Sequence, residues 1–207
     1  MSALTLTFHT ITGTSSVKAG FTISQARTWE HVFVVAGPEL FSLVEPALLK
    51  LLHNSGAEGT SPERCKQAAG TEVLAGACRA ACGWSLAQQA RVWEKAALPL
   101  LAAVISVASD DVLSDWEQCL LFIMRKRDPR RFGALFKWLE SCELRVDTDT
   151  KLCVGVLKMW SAVLRLYGWR VEGLVSSRAW LVSTAIHTLI RVPKMCHWAV
   201  SSVHNVW

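Results

Sequence analysis

From Ser24 onward, apolar residues recur every three or four positions, and alternating runs of the strand type are scarce. The pattern is that of an all-α chain. It predicts a first helix over Ser24 to Ala36, stopped by Gly37-Pro38. A second runs from Glu39 to about His53, with Leu40, Leu43, Val44, Leu48, Leu51 and Leu52 on a broad apolar face. "NSGAEGTSPER" reads as a loop closed by a helix start at Ser61-Pro62, a hydroxyl followed by a first-turn proline. The third helix should cover Pro62 to about Cys82 and stop at Gly83.

Ser85-Leu86-Ala87-Gln88 has capping-box spacing, in which the serine oxygen and the glutamine side chain satisfy orphan amides reciprocally. Pro99 falls inside the helix that follows and should kink or break it. Ser114-Asp115-Trp116-Glu117 has the same box spacing and reads as the start of another helix, with Trp116, Cys119, Leu120, Ile123 and Met124 in one stripe. Asp128-Pro129 then opens the next, with Phe132, Leu135, Phe136 and Leu139 inward. "SCELRVDTDT" is a loop. Lys151 to Tyr167 aligns Leu152, Val156, Trp160, Val163 and Tyr167, and a last helix is expected over about Val171 to Ile190. Antiparallel helix pairs with tight turns and wide apolar faces fit a HEAT/armadillo-like α-solenoid better than a closed bundle. Residues 24–191 form its repeat segment, and residues 1–23 and 192–207 carry no assignable pattern.

Composition sharpens this picture at one place. The chain has 207 residues, 51% of them hydrophobic and 19% charged, enough for a real core and too apolar for disorder. Its net charge of +5 is concentrated: between Arg125 and Arg131, five basic residues face one acid, which leaves +4 there and near neutrality elsewhere. Arg125, Lys126 and Arg127 sit where a helix C-terminus favours cations, next to the negative end of its dipole. Arg130 and Arg131 are the surplus, because cations in a helix's first turn oppose the dipole. They are the candidate partner or anion contacts, and a solvated corner or a localisation signal are the competing readings. With no second basic strip and no stacking aromatics beside the knot, sequence-specific nucleic-acid binding is not expected.

Other residues yield little chemistry. The run from Ala96 to Ser109 is shorter than the ~20 residues of a spanning helix, and the N-terminus lacks the features of a signal peptide, so the expectation is an intracellular chain without a membrane partner. Seven cysteines, dispersed in apolar patterns, read as reduced and buried. Cys78 and Cys82 share a helix face but two thiolates do not complete a zinc site, and Cys196-His197 has no orienting third group. Asp110-Asp111 reads as a helix-start cluster. Ten tryptophans, among them Trp29, Trp93 and Trp116 before glutamates, read as packing between helices. No catalytic residue, metal or cofactor is expected.

Within Gly70 to Ser141, Glu-Val-Leu-Ala-Gly at Glu72 to Gly76, Arg-Val-Trp-Glu at Arg91 to Glu94, Pro99 to Leu101, Asp115-Trp116 and Arg-Asp-Pro-Arg-Arg before Leu-Phe-Lys-Trp-Leu stand in an order and spacing that resembles the proteasome activator complex subunit 4 family. The likeness holds over about residues 60 to 142 and is looser over 24 to 59 and 143 to 185. It implies part of a curved HEAT-like solenoid that binds the core proteasome and promotes ATP- and ubiquitin-independent degradation, in nucleus and cytoplasm. It also implies acetylated-histone substrates, roles in DNA repair and sperm development, and basic channels for inositol phosphates, to which no residue here is matched. It implies no enzyme. The family's docking tail carries a tyrosine before its last residue, whereas this chain ends Asn205-Val206-Trp207, so an incomplete activator is expected. The alternative is an independent helical adaptor or transport scaffold of similar architecture.

Overall fold

The computed structural model describes residues 20–53, 61–105, 110–142 and 150–167, and among them there is no strand. The helices are α1 (Ile23–His53), α2 (Ser61–Ala81), α3 (Leu86–Val92), α4 (Leu98–Ile105), α5 (Asp110–Met124), α6 (Gly133–Ser141) and α7 (Thr150–Tyr167). A π-helical turn over Trp93–Ala97 joins α3 to α4, and a 3-10 turn over Pro129–Phe132 leads into α6. Residues 1–19 and 168–207, and with them the helix expected over Val171 to Ile190 and Cys196-His197, lie outside the described residues.

α1 follows the two-helix expectation with a difference. Gly37 takes the left-handed φ of 76°, open to glycine at no steric cost, and the helix resumes at once through Pro38. The two predicted helices therefore form one kinked element. Past the kink, Phe41, Val44, Leu48 and Leu52 are buried, whereas Leu43, expected on the same face, is 67% exposed, because it lies about 100° round the helix from Val44. By length and composition, Ile23–Leu52 is the one described helix able to cross a membrane, a longer candidate than the Ala96–Ser109 run. Its carboxylates Glu30 and Glu45 are nevertheless ion-paired to Arg79 of α2 and Arg91 of α3. A backbone-to-backbone approach binds α1 to α2: a Cβ placed on Gly76 would stand 2.5 Å from Cβ of Trp29 and 2.7 Å from N of Glu30.

Ser85 and Gln88 form the predicted capping box of α3, with Ser85 Oγ accepting from Gln88 N at 3.4 Å and Gln88 Oε1 accepting from Ser85 N at 3.2 Å. Pro99 does not break the helix where it stands. The path widens just before it, Leu98 N donating to Trp93 O five residues back, so the turn that loses a donor at Pro99 has already been relaxed. The second box is a correction. α5 starts four residues ahead of Ser114, at Asp110-Asp111, whose carboxyls sit in its first turn as the sequence indicated. Ser114 is interior, and its hydroxyl donates to Asp110 O at 2.7 Å and accepts from the buried Lys158 ammonium at 2.8 Å.

The pairs α1/α2, α3–α4/α5 and α6/α7 stack in chain order, and four of the bonds between them span nearly the same sequence interval. Arg91 reaches Glu45 across 46 positions, Lys158 reaches Ser114 across 44, Arg165 reaches Glu117 across 48, and Gln89 reaches Arg131 O across 42. That interval is the length of one HEAT-type repeat, roughly 40–47 residues. The middle pair buries one face on its predecessor and one on its successor, as a repeat of an α-solenoid does. Trp93, Trp116 and Trp160 are fully buried between these layers, confirming the packing role of those three.

Candidate partner interface

The basic knot begins where α5 ends, and a helix end leaves orphan carbonyls to be satisfied. The sequence places Arg125, Lys126 and Arg127 beside them, at the negative end of the helix dipole. In the structure the carbonyls are taken by side chains from other helices. Arg79, from α2, donates Nη1 to the carbonyl of Phe122, to that of Ile123 at 3.2 Å and to that of Arg125 at 3.1 Å, while its guanidinium lies 4.8 Å from the centre of the Phe122 ring. Tyr167, at the end of α7, brings its buried hydroxyl to the carbonyls of Met124 and, at 3.0 Å, Arg127.

Glu30 of α1 completes this joint. Its carboxylate, 13% exposed, accepts Arg79 Nε at 2.9 Å on one oxygen and Arg127 Nη2 at 2.7 Å on the other. Arg127 is thus turned inward and neutralised. Lys126 makes the reversal possible by adopting φ 59°, a left-handed conformation that a non-glycine residue takes only when its surroundings impose it. The joint fixes the corner from three helices.

Asp128 performs the predicted cap. Its carboxylate accepts Arg130 N at 3.0 Å with Pro129 next in line, although the turn it opens is 3-10 before α6 begins at Gly133. The two nominated residues then part company. Arg130 stays outside, its side chain 89% exposed, and closes a forked pair on Asp128 with Nε–Oδ1 at 3.2 Å and Nη2–Oδ2 at 2.8 Å. This side-chain bond, then the Arg130 N–H, holds the Asp128 carboxyl below the usual carboxylate range. Arg131 turns inward, its Nη1 3.4 Å from both Trp84 O and Gln89 Oε1, while the buried Gln89 donates to Arg131 O at 2.8 Å. Arg125 and Lys126 are exposed and have no ion pair among the described residues.

A second polar cluster lies at the start of α1, which has no acid of its own in its first turn. Glu72 of α2 accepts Thr22 N at 2.7 Å, and Asp115 of α5 accepts from the Phe21 backbone and pairs with Arg64 at 3.2 Å. Burial pushes both carboxyls above the usual range, against those bonds. Among the described residues no three metal-ligating side chains converge. Cys78 and Cys119 are fully buried thiols pushed upward by desolvation, and Cys82 hydrogen-bonds Cys78 O at 3.6 Å; burial also raises it, against the pull of Arg127, Arg79 and Arg131.

Sequence reasoning found Asp128, Arg130 and Arg131 but missed Arg79, Glu30, Gln89 and Tyr167. One signal was present: Arg79 is the sole charge between Glu72 and Gly83, and a lone cation inside an apolar helical run needs a partner.

The family model described as "Proteasome activator complex subunit 4-like, HEAT repeat-like" matches residues 32–158. The curated Proteasome activator complex subunit 4 of Bos taurus is 25% identical over 149 residues, 72% of this chain and 7% of that protein. The Homo sapiens protein of the same name is 25% identical over 131 residues, 63% of this chain and 6% of its own length. Proteasome activator complex subunit 4B of Danio rerio is 26% identical over 127 residues, 61% of this chain and 7% of its own. The chain therefore spans under a tenth of the relatives it matches. No solved structure matches it.

Proposed function

Because the chain belongs to the proteasome activator complex subunit 4-like, HEAT repeat-like family, we propose that it is a segment of a proteasome-activator solenoid, acting by binding the core proteasome and promoting ATP- and ubiquitin-independent degradation. The observation that carries this reading is the coincidence of the matched stretch with helix pairs tied at one-repeat intervals, as in Arg91–Glu45 and Lys158–Ser114. A solenoid works by presenting a long curved surface, so a member contributes shape and contacts instead of a reacting group. The same reading carries a nuclear and cytoplasmic location and acetylated histones as substrates, both inherited from the resemblance.

The test is a chimaera. Residues 32–158 replace the matching stretch of the human relative, and the product is assayed for co-sedimentation with purified core proteasome and for stimulation of fluorogenic-peptide hydrolysis. Retained binding and stimulation are expected for the chimaera, and no stimulation for the isolated chain. A chimaera that is helical by circular dichroism and fails to bind the core particle would overturn the proposal in favour of an independent helical adaptor or transport scaffold.

A further inference from the structure

The corner carries more positive charge than the fold uses. The C-terminal carbonyls of α5 are answered by Arg79 and Tyr167, and Arg127 and Arg131 are consumed by Glu30 and Gln89. What remains on the outside is Arg125, Lys126 and Arg130, carried on one reversal that three helices hold rigid. We propose that Arg125, Lys126 and Arg130 form a docking knuckle for an acidic, carboxylate-rich polypeptide segment of a partner protein.

Three observations select carboxylates. Arg130 already grips one: Asp128 meets it as a forked pair, Nε on Oδ1 and Nη2 on Oδ2, the geometry in which a guanidinium prefers a carboxylate. A phosphate cradle needs converging backbone amides, and here the amides of Arg125, Arg127, Arg130 and Arg131 all donate internally, to Leu121 O, Met124 O, Asp128 Oδ1 and Asp128 O. A single-stranded nucleic acid needs exposed rings on which bases stack, and the neighbouring rings of Phe132 and Tyr167 are buried. Side-chain cations alone on a fixed turn, with no cradle and no platform, suit a flexible acidic chain that brings several carboxylates at once. Asp128 is its internal competitor for Arg130. This inference stands on the corner's geometry and not on proteasome activation.

The probe is a fluorescein-labelled peptide of alternating glutamate and glycine, titrated with the full chain at low salt and followed by anisotropy. Binding that weakens with added salt is expected. The combined Arg125→Glu, Lys126→Glu and Arg130→Glu variant should lose about tenfold or more in affinity with an unchanged circular-dichroism melt, and Lys66→Glu, a reversal at an exposed position on α2, should leave it near the parent. Asp128→Ser keeps a capping oxygen and releases Arg130, so it should tighten binding. The proposal is overturned by absent binding to the parent chain, by equal loss in Lys66→Glu, by weaker binding in Asp128→Ser, or by an oligonucleotide or pyrophosphate displacing the peptide at lower concentration than free glutamate peptide does.

Discussion

Two kinds of helix end coexist in this molecule. α3 and the turn before α6 are capped by the residue that precedes them, Ser85 with Gln88 and Asp128 with Arg130 N. The start of α1 and the end of α5 have no such neighbour and are capped from other helices, by Glu72 and Asp115 in one case and by Arg79 and Tyr167 in the other. A local cap stabilises one helix and is exposed to water. A distant cap satisfies such groups while joining two helices, which for Asp115, Arg79 and Tyr167 belong to different pairs, and its removal leaves buried groups unpaired on both sides. The difference should be measurable.

The largest effect is expected from Arg79→Ala. It leaves the largely buried Glu30 carboxylate with Arg127 alone and strands the carbonyls of Ile123 and Arg125, and breaking such a pair should cost about 3 kcal/mol in chemical denaturation. A loss no greater than that of a local cap would erase the distinction. Tyr167→Phe removes one buried hydroxyl donor and should cost about 1.5 kcal/mol, read as a lower midpoint in urea with unchanged slope. Ser85→Ala, at an exposed local cap, should cost about 1 kcal/mol, with Ser85→Gly recovering most of it.

The smallest effect should have the opposite sign. Burial raises the folded-state pKa of Glu72 and Asp115, so the folded chain holds their protons more tightly than the unfolded one does. Their contribution is fully present below the unfolded carboxylate pKa and is lost as pH rises through the raised values. Glu72→Gln keeps an acceptor for Thr22 N without the buried charge. It should leave stability at neutral pH equal or slightly higher and flatten the dependence between mildly acidic and neutral pH. An unaltered pH profile would show that Glu72 is not the group responsible.

The same contrast explains what could be read from the sequence. Ser85-x-x-Gln88 and Asp128-Pro129 place donor and acceptor within three residues, so their spacing announces their geometry, and Phe132, Leu135 and Leu139 after the second are buried as expected. Trp116, Cys119, Leu120, Ile123 and Met124 were correct because periodicity alone decides which face is buried. Ser114 misled because a box spacing four residues inside a helix looks identical to one at its start; only the Asp110-Asp111 turn ahead of it, and Lys158 arriving from α7, settle where Ser114 points. Arg125, Lys126 and Arg127 do follow the end of α5, but its carbonyls are bonded by Arg79, and no local pattern reports a guanidinium arriving from more than 40 positions away. At the candidate site, Arg130 kept its outward place, while Arg131 was drawn inward by Gln89, a polar residue on a face that periodicity had no reason to bury.

The one-repeat interval of these ties also has a mechanical meaning. Pulled from its two ends, a chain whose bonds each link neighbouring pairs should surrender one pair at a time, each step freeing roughly 45 residues, or about 150 Å of contour at ~3.5 Å per residue. Glu30 to Arg127, a bond across 97 positions, is the exception. It stitches the first pair to the far end of the second, so those two should rupture together, in one step about twice as long as the rest.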